Sequence, residues 1–574
     1  MNEGFERIRK QVMWDRLLSL VEEQARTLMR VAFSTVVREA GDLSAGVFNA
    51  RGEMLAQAVT GTPGHVNSMA RSVKHFIAAF PLQTMREGDA YVTNDPWKGT
   101  GHLFDFTVVS PAFCKGKLVA IFAATAHVAD IGGNGPSPDS RDVYAEGLFI
   151  PLMPLVVAGQ MNAQLIQIAR ANSREPDKLE GDIHALVASN ETGAAQLRRM
   201  MNEYGLSDIE ELSAHILDST DRSMREAIAA LPKGRWTSAM RIDGFDEPID
   251  FVATLTIDDE NIYVDFAGSS PMSRHGVNCP MCYADAYTTF GVKCIVAPDL
   301  AHNHAVLSRI HISAPEGCIL NAPSPAPVTA RAIIGQMLPD TVFGCFDKAR
   351  AGLAPAEGTA ASWTLRLAAD PGLTGHRGGT RFTAQSFQSG GMGAHPLGDG
   401  LAATPFPSGV RAIAVEITEA LTPLVFWKKE LRQDSGGAGR MRGGMGQSIE
   451  VGSREDAPFA VFARFERVEN PARGRAGGGD GAAGVVRLKS GAVLASKGLH
   501  IVPAGDRLSL EMPGGGGYGN PETRDPVAVQ QDVRNGYISA DAAHNVYKVA
   551  MNQRGEVDMA ATKTMRELGE TRPE

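Results

Sequence analysis

Two histidines and an aspartate stand out by type and spacing. Between Asn94 and Gly133 the chain reads NDPWKGTGHLFDF, then an apolar stretch, then TAHVADIGG. His102 and Asp105 are three apart, and His127 follows twenty-two residues after Asp105. Two imidazoles and one carboxylate suit a single hard or borderline divalent ion. They also leave coordination positions for water or substrate, as catalytic sites do and closed structural sites do not. An HxxD pair beside a strand also arises by chance, and a lone histidine is more often core or surface than ligand, so the neighbours matter. Asn94-Asp95-Pro96 and Gly99-Thr100-Gly101 supply turn chemistry just before His102, and Asp130-Ile131-Gly132-Gly133 supplies it just after His127. Ligands at strand ends beside tight turns face a pocket rather than a core.

For the three residues to converge, the chain between them has to fold back. SPAFCKGKLVAIFAATA reads as two strands about a turn at Lys115-Gly116-Lys117, and that hairpin returns His127 to the neighbourhood of His102. Upstream, Met13, Leu17, Leu18, Val21, Ala25, Leu28, Met29 and Ala32 form a helical stripe within Phe5 to Arg38 that stops by Gly41 and packs on the strands that follow. From Val47 to Val157 short apolar stretches alternate with turns, which predicts sheet with loops. Helical spacing returns between Gln164 and Leu231, with Gly205 as a stop and Ser207-Asp-Ile-Glu210 as a capping box for the next helix. Alternating strands follow from Trp236.

After Pro371 the chain is rich in glycine and turns. The fold class expected is therefore α+β, a large multidomain mixed fold. Residues 1–160 hold the N-terminal helix and metal-bearing sheet, and 161–235 a helical region. Residues 236–370 form a mixed α/β region, 371–524 a Gly-rich β region, and 525–574 a helical tail with a polar, frayed end.

These residues resemble the hydantoinase B/oxoprolinase family, and the likeness runs through nearly the whole chain. Its segments are Glu39-Ala-Gly-Asp42-Leu-Ser44, Thr62-Pro63-Gly-His65-Val-Asn-Ser-Met69, Glu146-Gly147, Gly181-Asp182, Pro315-Glu316-Gly317 and Pro325 through Arg331. Late in the chain come Asp434 through Gly444 and Pro513 through Pro521. Their order and spacing carry the resemblance more than any one of them does. The family includes metal-bearing subunits of ATP-dependent hydantoinases and lactamases, the second half of 5-oxoprolinases, and related subunits of acetone and acetophenone carboxylases.

The resemblance implies Asp42, His102, Asp105 and His127 as metal ligands, with Zn or Mn fitting two imidazoles better than Mg. It implies His102, Asp105, His127 and Asp130 as the catalytic set, Asp130 orienting an imidazole, and His65 as a substrate-binding pocket residue. It also implies a hydantoinase A-type partner that binds ATP and phosphorylates the substrate, and hence a hetero-oligomer. One departure is Val128, where oxoprolinase-like members carry a second histidine, which points away from oxoproline itself. Hydrolysis of a cyclic amide such as a hydantoin or lactam is the first reading, since a bound ion polarises a carbonyl and acidifies water. ATP-dependent carboxylation of a ketone is the second. A non-catalytic scaffold subunit is the third, and the four intact candidate ligands tell against it.

Composition sets the exclusions. At 574 residues and 61.1 kDa the chain is long enough for several cores. Its 56 basic residues against 65 acidic, with no basic run, lack the clustered positive face of a nucleic-acid binder. The charged start and short apolar runs indicate neither export nor a membrane span. Six scattered cysteines fit free thiols in a reducing compartment, so a cytoplasmic protein is expected. Cys279-Pro-Met-Cys282 has no second CxxC and reads as two small buried residues.

Gly514-x-Gly516-x-x-Gly519 matches a dinucleotide fingerprint formally. Pro521 follows too soon for a helix to open, and no GxxxxGK[ST] occurs, so no nucleotide loop is expected in this chain. Arg440 and Arg442, in a Gly-rich turn, have side chains that suit a carboxylate or phosphate, but a turn between strands explains the glycines equally well.

Overall fold

The computed structural model describes residues 3–59, 61–135 and 137–570. The last four residues of the expected helical tail lie outside it. The chain forms two compact units. Unit 1 comprises residues 1–239, 251–345 and 408–411, and unit 2 comprises 240–250, 346–407 and 412–574.

Unit 1 opens with the expected long helix, α1 (Glu3–Val31), and a short second helix, α2 (Thr35–Arg38). Gly41 then turns the chain at φ +69°. A seven-stranded sheet follows, built from β1 (Leu43–Phe48), β2 (Met54–Gln57), β3 (Ala90–Thr93), β4 (Asp105–Cys114), β5 (Lys117–His127), β6 (Met153–Val157) and β7 (Gln160–Met161). Its order is β2-β1-β5-β4-β3-β6-β7. The β4–β5 hairpin closes through Lys115 and Gly116, both at positive φ. That is the backbone twist two-residue hairpin turns require.

Within Val47 to Val157, where only sheet and loops were expected, the structure inserts a helix, α3 (Pro63–Ala79). Its signals were present. The Thr62 hydroxyl caps the His65 amide, Pro63 stands at the first helical position, and Val66, Met69, Val73 and Phe76 recur at helical spacing. The helical middle is α4 (Ala163–Asn172), α5 (Pro176–Tyr204) and α6 (Glu210–Ala229). Gly205 ends α5 in the left-handed region at φ +67°. The Glu210 amide is capped by Asp208 and not by Ser207.

Successive side chains of a strand point to opposite faces, and here both faces are covered. Phe122 packs among Leu17, Val21 and Leu197 of α1 and α5, whereas Ile121 and Ala123 pack among Met69, Val73 and Phe76 of α3. The central strands are therefore buried on both faces and mostly apolar, with Thr107 and Thr125 bonded to each other between them. Unit 1 also holds β8 (Gly234–Ile242, which runs into residues of unit 2), β9 (Ile249–Ile257), β10 (Ile262–Asp265) and β11 (Ile310–Ser313), in the order β11-β10-β9-β8. Helix α7 (Met281–Val296) packs against α3.

Unit 2 contains β12 (Trp363–Ala369), β13 (Phe382–Gln388), β14 (Leu424–Leu431), β15 (Gln447–Ser453), β16 (Phe459–Arg464), β17 (Val485–Leu488), β18 (Lys497–Val502) and β19 (Arg507–Glu511). They make two four-stranded sheets, β13-β12-β16-β18 and β14-β15-β19-β17. Trp363, Leu365 and Val461 of one sheet share a core with Ile449, Val451 and Leu510 of the other. The glycine-rich runs thread between strands as extended backbones bonded to one another. Gly437 N donates to Gly515 O, Gly515 N to Gly444 O, and Gly444 N to Met392 O. A Cβ on Gly515 would overlap the Met392 carbonyl. Close backbone approach, not phosphate binding, explains these glycines.

Candidate metal centre

Register alone brings three of the expected residues together. In the β4–β5 ladder Asp105 lies directly opposite His127. In the β1–β5 ladder Leu43 pairs with Ala126, and the His127 amide donates to the Asp42 carbonyl at 3.1 Å. Asp42, His127 and Asp105 thus end three adjacent strands at one edge. By the alternation that sends Ile121, Ala123 and Val109 towards α3, all three share the α3 face. The first turn of α3 delivers His65 over the same edge. His102 comes from the turn ahead of β4, in which the Asn94 side chain bonds Leu103 O, Leu148 O and the Ile150 amide, and Asp95 caps the Trp97 amide.

Asp105 is the hub and is fully buried. Its Oδ1 meets His102 Nε2 at 2.8 Å and His127 Nδ1 at 3.2 Å. Its Oδ2 accepts from the Thr100 hydroxyl at 2.8 Å, lies 2.9 Å from His65 Nε2, and pairs with the Arg331 guanidinium. Donor atoms of His102, Asp105 and His127 all lie within 4.8 Å of one another. Asp42 borders that group, 4.0 Å from His127 Nδ1 and 3.6 Å from His65 Nε2.

Burial alone would raise Asp105, but the His65 imidazole, itself drawn towards its protonated form, and the Arg331 guanidinium hold it well below the usual carboxylate range. Burial, then the Arg331 charge, pushes His102 down to about 3, so its ring is neutral near pH 7. His102 Nδ1 lies 3.0 Å from the Thr329 carbonyl, which can only accept. The proton of a neutral ring is therefore on Nδ1, and the Nε2 lone pair faces a carboxylate oxygen. Two acceptors at 2.8 Å repel unless a cation or a proton is shared between them. Burial pulls His65 down, but the Asp105 and Asp42 carboxylates more than reverse this and its pKa is raised. His65 Nδ1 is buried with no hydrogen-bond partner.

Asp130 does not orient an imidazole. Its carboxylate bonds the Arg174 amide and guanidinium, the Ser173 hydroxyl and the Gly132 amide, so it ties the loop after His127 to the loop between α4 and α5. The partner behind His102 is instead the Thr329 carbonyl. Sequence reasoning also passed over Arg331, which packs over the Tyr283 ring at 4.0 Å and donates to the Thr100 carbonyl. Its signal was a lone charge in the apolar run PAPVTARAIIG. Gly101, at φ +93°, makes room for it, since a Cβ there would lie 2.8 Å from Arg331 Nε.

The other motifs resolve plainly. All six cysteines are free thiols, and burial pushes Cys282 up to about 12, far from a thiolate ligand. Arg442 bonds Gly443 O and lies near Asp399 and Asp532, while Arg440 bonds Pro396 O. Among the described residues no helix is long and apolar enough to cross a membrane.

Fold and site together define a large α+β protein with a buried, histidine- and carboxylate-lined candidate metal centre. The chain belongs to the Hydantoinase B/oxoprolinase family, whose sequence profile matches residues 6–521. It is 28% identical to caprolactamase subunit beta of Pseudomonas jessenii over 95% of this chain and 96% of that protein. It is similar to the crystal structure of the ATP-dependent caprolactamase from Pseudomonas jessenii, with a TM-score of 0.88, 26% identity, and coverage of 98% of this chain and 99% of that one. An acetone carboxylase structure shares the fold at a TM-score of 0.82 and 20% identity, over 99% of this chain and 84% of that one.

Proposed function

We propose that this chain is the metal-dependent catalytic subunit of an ATP-dependent cyclic amide hydrolase. In this reading it acts on a hydantoin-, lactam- or oxoproline-like substrate phosphorylated by a hydantoinase A-type partner that holds the ATP. The observation that carries the reading is the convergence of His102, Asp105 and His127 on one another with a lone pair and a carboxylate opposed. The activity named for the caprolactamase relative supports a cyclic amide as substrate. His102, Asp105 and His127 would hold a divalent ion, Zn or Mn by the softness of two imidazoles, with Asp42 beside them. When bound, such an ion polarises a carbonyl and lowers the pKa of water.

The chain's own residues do the rest. The Thr329 carbonyl fixes the His102 tautomer, and Arg331 offsets the buried charge of Asp105. His65 donates from Nε2 to Asp105 and, in its protonated form, also holds a proton on the unpaired Nδ1. We assign that proton to substrate, for delivery to a departing ring nitrogen.

Metal analysis of the purified protein tests the centre. The expected result is close to one divalent ion per chain, lost in His102→Ala and His127→Ala. No metal in wild type after gentle purification, or full metal in both variants, would overturn it. With the ATP-binding partner, product that forms only from a ketone and only with bicarbonate would replace hydrolysis by carboxylation.

A further inference from the structure

A buried acid outside the ligand cluster is tied to it through the backbone. Glu146 closes a 3-10 turn, Val143–Glu146, whose first amide is held by Pro325 O at 3.0 Å and whose third is capped by the Asp142 carboxylate. The same turn is tied to the loop that follows His127. Asn134 N donates to Ala145 O at 2.9 Å, and Leu148 N to Ile131 O at 3.0 Å. The Glu146 side chain is fully buried. Its Oε1 accepts from two successive amides, Val328 at 2.7 Å and Thr329 at 2.9 Å. Its Oε2 is buried without a partner. Both amides lie just ahead of the Thr329 carbonyl, which meets His102 Nδ1, while the amide that shares a peptide with that carbonyl, Ala330 N, is held by Gly276 O at 2.6 Å; two residues after Thr329 the same segment presents Arg331 to Asp105.

We propose that Glu146 is a positioning residue for the metal centre: its single acceptor oxygen, shared by the Val328 and Thr329 amides, aims the Thr329 carbonyl at His102 and so sets the tautomer that leaves Nε2 free as a donor atom. The inference rests on reading the cluster as a metal site. Metal-ligating histidines need a partner on the other ring nitrogen to fix tautomer and ring orientation. A backbone carbonyl serves only if the chain on both sides of it is fixed: outside any strand ladder, Gly276 O holds the Ala330 amide on one side of Thr329, and Glu146 holds the Val328 and Thr329 amides on the other. The acceptor, not a negative charge, does this. Burial pushes the Glu146 carboxyl up to about 8, against the two amide bonds that lower it, so it is largely protonated near neutrality. A protonated glutamate and a glutamine present the same carbonyl oxygen.

The experiment compares Glu146→Gln, Glu146→Ala and Glu146→Met by zinc affinity in chelator competition. A second readout is the 15N shifts of His102 in the metal-free protein, which report the tautomer. Glutamine should keep zinc affinity within about twofold and leave the Nδ1–H tautomer in place. Alanine should lose about tenfold or more in affinity and populate the other tautomer. Methionine fills the volume without an acceptor, so if alanine fails to fold, methionine carries the test. Wild-type affinity and tautomer in the variants lacking the acceptor, or a glutamine variant as impaired as they are, would overturn the inference. If His102→Ala and His127→Ala keep full zinc, the metal reading itself fails. If they lose zinc while Glu146→Met does not, only the role of Glu146 fails.

Discussion

Replacing Asp105 by Asn is the sharpest probe of the centre, because it changes charge and hydrogen-bonding sense while conserving shape. Both carboxylate oxygens are used as acceptors or contacts. Oδ1 faces His102 and His127, and Oδ2 faces Thr100, His65 and Arg331. An amide must turn its NH2 either to the two imidazoles or to the guanidinium, so one set of contacts is lost in each orientation. Loss of the charge costs more than loss of either set. Arg331 is 3% exposed, and breaking a buried pair by removing one partner costs about 3–5 kcal/mol. Unit 1 has about 340 residues. At about 2 cal/mol/K of unfolding entropy per residue, that cost lowers its melting temperature by roughly 4–7 °C in metal-free protein. The assay is thermal unfolding after chelator treatment, with elemental analysis of untreated protein alongside. Asparagine should melt earlier and carry little metal. An unchanged melting temperature together with full metal occupancy would refute both the charge argument and the assignment of Asp105 as hub.

Gly101→Ala should cost on the order of 1–3 kcal/mol, because φ is +93° and the new Cβ would crowd Arg331, and it should lower metal content without touching a ligand; a neutral outcome in both measurements counts against that close approach. The Glu146 carboxyl is raised above its unfolded value, so its contribution to stability is complete below about pH 4.5 and is lost as pH rises through about 8. Wild type should therefore lose more melting temperature than Glu146→Gln between about pH 6 and 9, and parallel pH curves would contradict this. The purified chain alone should not turn over ATP, since no phosphate-cradling motif is present; steady phosphate release from the chain without a partner would dissolve the proposed division of labour.

What could be read from the sequence was whatever local chemistry dictates. The hairpin at Lys115-Gly116 was legible because few residues satisfy two consecutive positive φ angles. Helix α5 and its Gly205 stop were legible because a helical apolar period has no competing reading there. The hairpin returned His127 to the neighbourhood of His102, but its pairing with Asp105 depends on a bulge between Ala112 and Phe113, without which Asp105 would lie opposite Ala126. Helix α3 was missed although Thr62-Pro63 and its apolar period announced it, because the turn residues around it outweighed a single helical run.

The centre beyond that pair belongs to tertiary structure. Asp42 reaches His127 only because β1 docks antiparallel on β5, and Arg331 reaches Asp105 across more than two hundred residues of chain, with Gly101 cleared to admit it. The family resemblance cast Asp130 as an orienting acid, yet its carboxylate went to Arg174. The Thr329 carbonyl, which took the orienting role, is a backbone atom that any residue type supplies. Residue types and spacing specify which groups are able to bind, but the partner each one gets is set by which strands pair and which loops pack, and a backbone partner leaves no mark in the sequence at all.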